Sequence, residues 1–142
     1  MIDISDKALT RRTAVAVVKV VASKGLIRKI KGGKLPKGDA LAAAEIAGIL
    51  AAKKTPAIVP LCHPVRVTAV DIDFRFLATA VEVRTTVRAR DATGVEMEAL
   101  AACAAAALTL YDMAKTEEKD IVISDLKLLK KTGGKSGDYL RR

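Results

Sequence analysis

Two successive segments near the middle of the chain alternate strictly between apolar and polar residues. Val67–Phe76 and Val81–Arg90 each place mainly apolar side chains on one face and mainly charged or threonine side chains on the other, which is the period of a half-buried β-strand. The short link Leu77–Ala80 predicts that they form an antiparallel hairpin. We expect its apolar face to pack on helices and its charged face to point toward solvent or a second subunit.

The remaining segments predict helices and further strands around this hairpin. Ser23 and Asp39 precede two helical segments and are typical N-cap residues. The resulting order, β-α-(α)-β-β-α-β, predicts an α+β fold of the ferredoxin-like, split βαβ type, with a four-stranded antiparallel sheet and the helices on one face. We expect a single domain over residues 1–142. The other predicted elements are a strand at Ala14–Ala22, helices at Lys24–Lys31 and Ala40–Lys54, an irregular connector at Ala57–Pro64, a long helix at Val95–Lys115, a strand at Asp120–Leu129 and a basic Gly/Lys tail at Lys130–Arg142.

The positive charge of the chain is concentrated at its two ends. Residues 1–40 carry +7 and residues 127–142 carry +5, whereas residues 41–126 carry −3, for a total of +9. Basic arms suit a polyanion such as nucleic acid, an anionic membrane surface or a small polyphosphate, although a solvated basic surface is an equally good explanation. Aromatic residues are only 3% of the chain, which disfavours single-strand nucleic-acid binding because that binding stacks bases on aromatic rings.

Other sequence features argue against membrane, secreted and zinc-ribbon classes. The uncharged run Ala99–Tyr111 is much shorter than the roughly 20 residues of a membrane span, and Met1–Lys7 has no apolar signal core. Cys62 and Cys103 form no C-x-x-C motif. We therefore expect a soluble, cytoplasmic protein without a disulfide framework. Its 25 alanines bury little surface each, so a partner surface is expected to complete the fold.

Two loops contain candidate site residues. Lys37 precedes the predicted helix cap, where free N–H groups favour an anion, but a plain turn and cap explain the same residues. His63 is the only histidine and lies beside Cys62 in a loop bounded by Pro60 and Pro64. A lone histidine is more often structural, yet its place in a loop favours a functional site. A zinc site is disfavoured because adjacent residues seldom chelate one ion.

The long predicted helix carries charged residues at both ends. Glu96 and Glu98 lie at its start, where acids complement the helix dipole, so capping chemistry explains them unless one side chain turns into a site. Asp112 and Lys115 are three residues apart and face the same way near its end. A simple ion pair is the default there, but an acid beside a lysine is also a candidate proton-transfer pair.

The C-terminal tail contains Gly-Lys-Ser but does not match a P-loop. The position of the first required glycine is occupied by Leu129, and we expect no helix in residues 137–142. A Gly/Lys segment such as Lys130–Asp138 can still surround phosphates with backbone N–H groups and lysine charges.

Together these segments resemble the molybdenum cofactor biosynthesis protein C family, the cyclic pyranopterin monophosphate synthases. The matching motifs occur in the expected order and cover most of the chain. They are Met1–Ser5, Lys37-Gly38-Asp39, Ile46–Ile49, Ala51–Thr55, Pro60-Leu61-Cys62-His63-Pro64, Thr93–Leu100, Ala107–Lys115, Lys119-Asp120 and Gly133–Asp138.

The resemblance implies an enzyme of molybdenum cofactor (molybdopterin) biosynthesis. Its substrate would be the cyclic dihydro-GTP, (8S)-3',8-cyclo-7,8-dihydroguanosine 5'-triphosphate, and its products cyclic pyranopterin monophosphate and diphosphate. The reaction opens the former imidazole ring and closes the pyranopterin. No metal or organic cofactor is implied. The family is ferredoxin-like and forms a homohexamer, a trimer of dimers, with sites at subunit interfaces.

The resemblance also implies roles for individual residues. Asp112 would be the acid/base residue with Lys115 as its partner, and Lys37 a further catalytic lysine. The substrate-binding residues would be Leu61, Cys62, His63, Glu96, Met97, Glu98, Lys53, Lys131 and Lys135. Two alternatives remain on sequence grounds: a non-enzymatic basic protein that binds nucleotide or RNA, and a purely structural subunit of an oligomer.

Overall fold

The computed structural model describes all 142 residues as one α+β arrangement. Its elements are β1 (Thr10–Val21), α1 (Lys24–Lys31), α2 (Ala40–Lys53), α3 (Thr55–Ile58), β2 (Val67–Phe76), β3 (Ala80–Asp91), α4 (Glu96–Ala114), β4 (Val122–Thr132) and β5 (Tyr139–Leu140). The predicted N-caps are confirmed: Ser23 Oγ accepts from the Leu26 N–H at 3.2 Å, and Asp39 Oδ1 accepts from the Ala42 N–H at 3.0 Å.

The sheet is antiparallel throughout, with the strand order β2-β3-β1-β4-β5. Its first four strands follow the predicted ferredoxin-like order, in which β1 and β3 are the central pair. They are aligned from Thr10↔Asp91 to Val21↔Ala80. The prediction of four strands was wrong by one, because Tyr139–Leu140 in the predicted tail pairs with Lys130–Lys131 and adds a short fifth strand.

Several element bounds differ from the predicted ones. β1 begins at Thr10 rather than Ala14, since residues 10–13 pair with the far end of β3. β4 begins at Val122 and extends to Thr132 because the basic residues at its end pair with β1. The connector contains a one-turn helix, α3, in which the buried Thr55 hydroxyl donates to the carbonyl of Ala51 at 3.0 Å.

The core lies between one face of the sheet and the helices. Alternate residues of β1 (Ala14, Ala16, Val18, Val20) are fully buried there, together with the alanine-rich face of α4. Small side chains bring backbones close together, as at Gly48 of α2, where an added Cβ would lie 3.1 Å from the Ala102 carbonyl oxygen and overlap Ile72. The alanines, which bury little surface each, therefore allow the helices to pack closely.

α4 is long and apolar enough to cross a membrane by length and composition. In this fold it is the central core helix, with Ala99, Ala102, Cys103, Ala106, Ala107 and Leu110 fully buried. Glu96, Met97 and Glu98 lie at its start, and Asp112 lies near its end.

Candidate active site

A carboxylate bridges two lysines at the C-terminal end of α4. Lys115 Nζ lies 2.7 Å from Asp112 Oδ1, and Lys37 Nζ lies 2.8 Å from Asp112 Oδ2 and donates to the Asp112 carbonyl at 3.0 Å. All three side chains are about half exposed. We call Lys37, Asp112 and Lys115 the Asp112 cluster. The structure therefore brings together the three residues to which the resemblance assigns catalysis.

A tight turn before α2 places Lys37 in this cluster. The Gly38 N–H donates to the Leu35 carbonyl at 3.0 Å, and Gly38 has a φ of 103°, which favours glycine. Leu35 is buried and fixes the turn to the core, whereas Lys37 is exposed. Asp39 then caps α2. The Lys-Gly-Asp motif thus forms a turn and a helix cap, and it also places the Lys37 side chain beside Asp112.

The two lysines determine the protonation state of the cluster. Hydrogen bonds from Lys115 and then Lys37 lower the pKa of Asp112 to about 2. The bonded Asp112 carboxylate in turn raises the pKa of Lys115. At neutral pH the Asp112 carboxyl is consequently ionised and Lys115 is protonated. Lys115 can donate a proton, while Asp112 can accept one or hold the lysines in place.

A small pocket opens at the other end of α4. It has a volume of about 350 Å³, and its wall contains six of the residues predicted to bind substrate. The lining residues are Leu61, Cys62, His63, Val65, Thr93, Gly94, Glu96, Met97 and Glu98. We call it the Glu98 pocket. The loop with the only histidine and the start of α4 therefore form one concave surface.

Two ionisable groups of the Glu98 pocket are shifted toward their neutral forms. Glu98 is 2% exposed, and burial raises the pKa of its carboxyl, with a further increase from the charges of Glu96 and Asp91. Burial and the nearby Glu98 charge raise the pKa of the Cys62 thiol. The Cys62 side chain is accordingly a thiol at neutral pH, not a thiolate nucleophile.

A larger basic groove adjoins this pocket. It has a volume of about 930 Å³ and shares Thr93, Gly94 and Glu96 with the Glu98 pocket. Lys131 and Lys135 line it, and Lys131 Nζ lies 3.1 Å from Glu96 Oε1. The other lining residues are Asp3, Asp6, Lys7, Ala8, Thr10, Arg12, Ala92, Gly134 and Ser136. Two of the predicted tail lysines therefore lie next to the predicted substrate pocket.

Sequence reasoning did not select the N-terminal side of this groove. Lys7, Thr10 and Arg12 line it, but they precede or begin a strand whose pattern indicates only a buried core element. The available signals were the basic character of residues 1–40 and the match at Met1–Ser5. Lys53, by contrast, is exposed at the end of α2 and lines neither cavity.

One chain does not unite the two halves of the predicted site. Glu98 and Asp112 lie on the same helix, fourteen residues apart, which corresponds to about 21 Å along the axis at 1.5 Å per residue. The Asp112 cluster and the Glu98 pocket therefore lie at opposite ends of α4. No three His, Cys, Asp or Glu side chains are close enough to hold a metal ion.

Comparison with known proteins identifies the family. The profile of the MoaC family matches residues 1–134. The chain belongs to the MoaC family. Curated relatives of this MoaC-family chain include the "Cyclic pyranopterin monophosphate synthase" of Heliobacterium modesticaldum, which is 49% identical over 143 residues (99% of this chain and 90% of the relative).

Two further relatives have a similar sequence identity to this chain. The "Cyclic pyranopterin monophosphate synthase" of Streptomyces coelicolor is 50% identical over 141 residues, covering 99% of this chain and 83% of the relative. The "Cyclic pyranopterin monophosphate synthase 2" of Mycobacterium tuberculosis is 50% identical over 142 residues, covering 100% and 85%. Each is named as a synthase, so these relatives give no support to the alternative of a non-enzymatic nucleotide- or RNA-binding protein.

Proposed function

We propose that this MoaC-family chain is a cyclic pyranopterin monophosphate synthase of molybdenum cofactor biosynthesis. It converts the cyclic dihydro-GTP to cyclic pyranopterin monophosphate and diphosphate. The relatives of about 50% identity, each named for this product, support the activity. The structural observation that carries the proposal is the Asp112 cluster, in which two exposed ammonium groups and an ionised carboxylate face solvent together.

The basic groove suits the triphosphate of this substrate. Its charged lining residues are the cations Lys7, Arg12, Lys131 and Lys135 and the carboxylates Asp3, Asp6 and Glu96. When a phosphate ester closes into a ring and diphosphate leaves, negative charge increases on the leaving oxygens, and fixed cations stabilise it. We assign phosphate binding to Lys131 and Lys135, and we place Lys53 with them on the resemblance alone.

The pocket and the cluster suit the ring rearrangement. Opening the former imidazole ring and closing the pyranopterin require proton transfers to and from nitrogen and oxygen atoms. Lys115 is a protonated donor, and Asp112 holds it beside Lys37. Leu61, Cys62, His63, Glu96, Met97 and Glu98 would hold the ring system. The Cys62 thiol can donate a hydrogen bond to it, since burial raises the pKa of that thiol.

A complete site would then require two copies of the chain. The separation of about 21 Å along α4 is too large for one bound nucleotide to contact both ends of the helix at once. If the α4 C-terminal end of one copy meets the Glu98 pocket of another, the catalytic and binding groups adjoin. Exposed apolar side chains at Ile46, Leu50 and Leu108 offer surface for such assembly.

We accordingly propose a homo-oligomer, with the hexamer built as a trimer of dimers that the resemblance implies. We further propose one domain over residues 1–142, a cytoplasmic location, and no nucleic-acid or membrane partner. The basic residues then serve one small polyanion, and the rest form solvated surface.

Incubation with the cyclic dihydro-GTP tests the activity directly. Release of diphosphate, together with appearance of cyclic pyranopterin monophosphate in the same sample, is the expected result. Equal concentrations of GTP serve as the control, since GTP lacks the second sugar–base bond, between C3' and C8, that defines the cyclic substrate. Failure of pure, folded protein to release diphosphate from the cyclic substrate would contradict the proposal. Retention on an RNA column at moderate salt would instead favour the binding protein.

A further inference from the structure

Arg12 lies at the junction of the segments that surround the basic groove. Its side chain is on β1 and only 9% exposed. The guanidinium donates to three backbone carbonyls: Nε to Asp91 at 3.3 Å, Nη2 to Ala92 at 3.0 Å and Nη1 to Gly133 at 3.2 Å. It forms none of the ion pairs in the structure. A buried cation is therefore held by main-chain oxygens alone.

The three carbonyls belong to two different segments of the candidate site. Asp91 ends β3, and Ala92 follows it and leads directly into Thr93, Gly94 and the start of α4. Gly133 follows β4 and begins the turn that contains Lys135. Arg12 thus joins the segment with the Glu98 pocket to the segment with the phosphate lysines.

The glycines after β4 are required by this contact. Gly133 and Gly134 have φ values of 93° and 89°, a region that L side chains seldom adopt. A Cβ on Gly134 would overlap Arg12 Nη1, and a Cβ on Gly133 would overlap the Arg11 carbonyl oxygen. The Gly-Gly pair is consequently fixed against β1, where it permits a close approach of the guanidinium.

The anchored turn contacts Lys131, the β4 lysine that pairs with Glu96. The Gly133 N–H donates to Asp138 Oδ1 at 3.0 Å, which closes the turn. Within it, Ser136 Oγ lies 3.2 Å from Lys131 Nζ, the same atom that lies 3.1 Å from Glu96 Oε1. A shift of this turn would therefore move Ser136 away from Lys131 and disturb the ion pair of Lys131 with Glu96.

We propose that Arg12 is a positioning residue for the reaction, one that holds the turn of residues 133–138 against the β3–α4 segment. Its planar fork reaches three acceptors at once, which a lysine ammonium on a flexible stem cannot reproduce. Arg12 thereby fixes the positions of Lys135 and Ser136, which line the groove, and so the fit of the triphosphate. The kinetic part of this inference rests on the proposed function.

Two variants and one control test the proposal. Arg12→Lys keeps the charge but loses the fork, and Gly134→Ala displaces the turn from an intact Arg12. Arg11→Lys is the control on an exposed neighbour in the same strand. We expect faster amide hydrogen exchange in residues 133–138 for both variants. We also expect kcat/KM to fall by about a hundredfold, mainly through a higher KM, because the lysines that bind phosphate are misplaced. The control should match the wild type.

A general loss of stability would give a different pattern. It would reduce the active fraction and hence the apparent kcat, with KM unchanged and exchange faster throughout the core, and that result would overturn the proposal. Wild-type exchange in residues 133–138 of Arg12→Lys would overturn it too, even if KM rose, since a direct contact with substrate would then suffice. If the wild type itself has no synthase activity, the exchange experiment still decides the positioning claim, and only the proposed function fails.

Discussion

Lys37 Nζ lies 2.8 Å from Asp112 Oδ2, although the two residues are 75 positions apart in the sequence. The contact joins the turn before α2 to the end of α4. It adds a second ammonium group to a carboxylate that Lys115 already holds from within the helix. Asp112 thus pairs with one lysine of its own helix and with one lysine that is distant in the sequence.

Replacing Asp112 with Asn should abolish most of the activity and leave the fold intact. The exposed side chain contributes little to packing, whereas loss of an acid/base residue reduces turnover by about a hundred- to ten-thousandfold. Diphosphate release and circular dichroism measure the two effects. Asp73→Asn, an exposed aspartate on β2, is the matched control and should keep full activity. Near-normal turnover of Asp112→Asn would remove Asp112 from the mechanism.

The pKa of Asp112 should rise when either lysine is removed. Lys115 makes the larger contribution to the lowered pKa of Asp112, so Lys115→Met should raise that pKa more than Lys37→Met does. Lys119→Met is the control and should leave the pKa of Asp112 unchanged. Carbon-13 NMR titration of the carboxyl carbon measures each value. The Asp112 carboxylate stabilises the fold fully above its ordinary pKa of 3.8, and this contribution is lost as the pH falls through about 2. An unchanged pKa in both variants would show that the lysines do not hold the carboxylate in solution.

Glu98→Gln should stabilise the protein at neutral pH while it lowers activity. Burial raises the folded-state pKa of Glu98 above its ordinary value of 4.5. Ionisation of this carboxyl therefore destabilises the native state increasingly as the pH rises from 4.5 toward the folded-state pKa. The Tm of the variant should exceed that of the wild type at about pH 8 and converge with it below pH 4.5. Glu45→Gln, on the exposed face of α2, should show no such pH dependence. A variant less stable than the wild type at high pH would indicate that the Glu98 charge is compensated.

Gly48→Ala should destabilise the fold. The new methyl group would overlap Ile72 and approach the Ala102 carbonyl oxygen where α2 crosses α4, and overpacking of this kind costs about 1–3 kcal/mol. Gly25→Ala in α1 is the control, because the nearest atom to its added Cβ is Ser23 Oγ at 4.0 Å. We expect that change to be neutral or stabilising by up to about 1 kcal/mol. Urea unfolding compares the two variants, and equal free energies of unfolding would contradict the close helix packing.

The sequence predicts the fold well where a pattern is local. β2 has the predicted bounds because its alternation extends from Val67 to Phe76, and α1 agrees because Ser23 and Gly32 mark both its ends. The missed parts depend on distant pairing. β1 begins at Thr10 because of its ladder with β3, and Tyr139–Leu140 becomes a strand only because β4 lies beside it.

Residue chemistry alone predicts less of the candidate site. The pairing of Asp112 with Lys115 follows from their spacing on a helix. The resemblance implied catalytic roles for Lys37 and Asp112 but not their contact, since no local pattern links positions 75 apart. Arg12 was missed because it occupies a strand position, and its three carbonyl partners come from two remote segments.

Subunit complementation tests the central claim, a synthase site shared between two copies of the chain. Asp112→Asn and Glu98→Gln are expected to be inactive separately, since each lacks one half of every site. When the two variants are co-expressed or refolded together, some sites combine the intact Asp112 of one copy with the intact Glu98 of the other. Random assembly in a symmetric oligomer would restore about a quarter of wild-type diphosphate release. No recovery in oligomers shown to contain both variants would contradict a shared site.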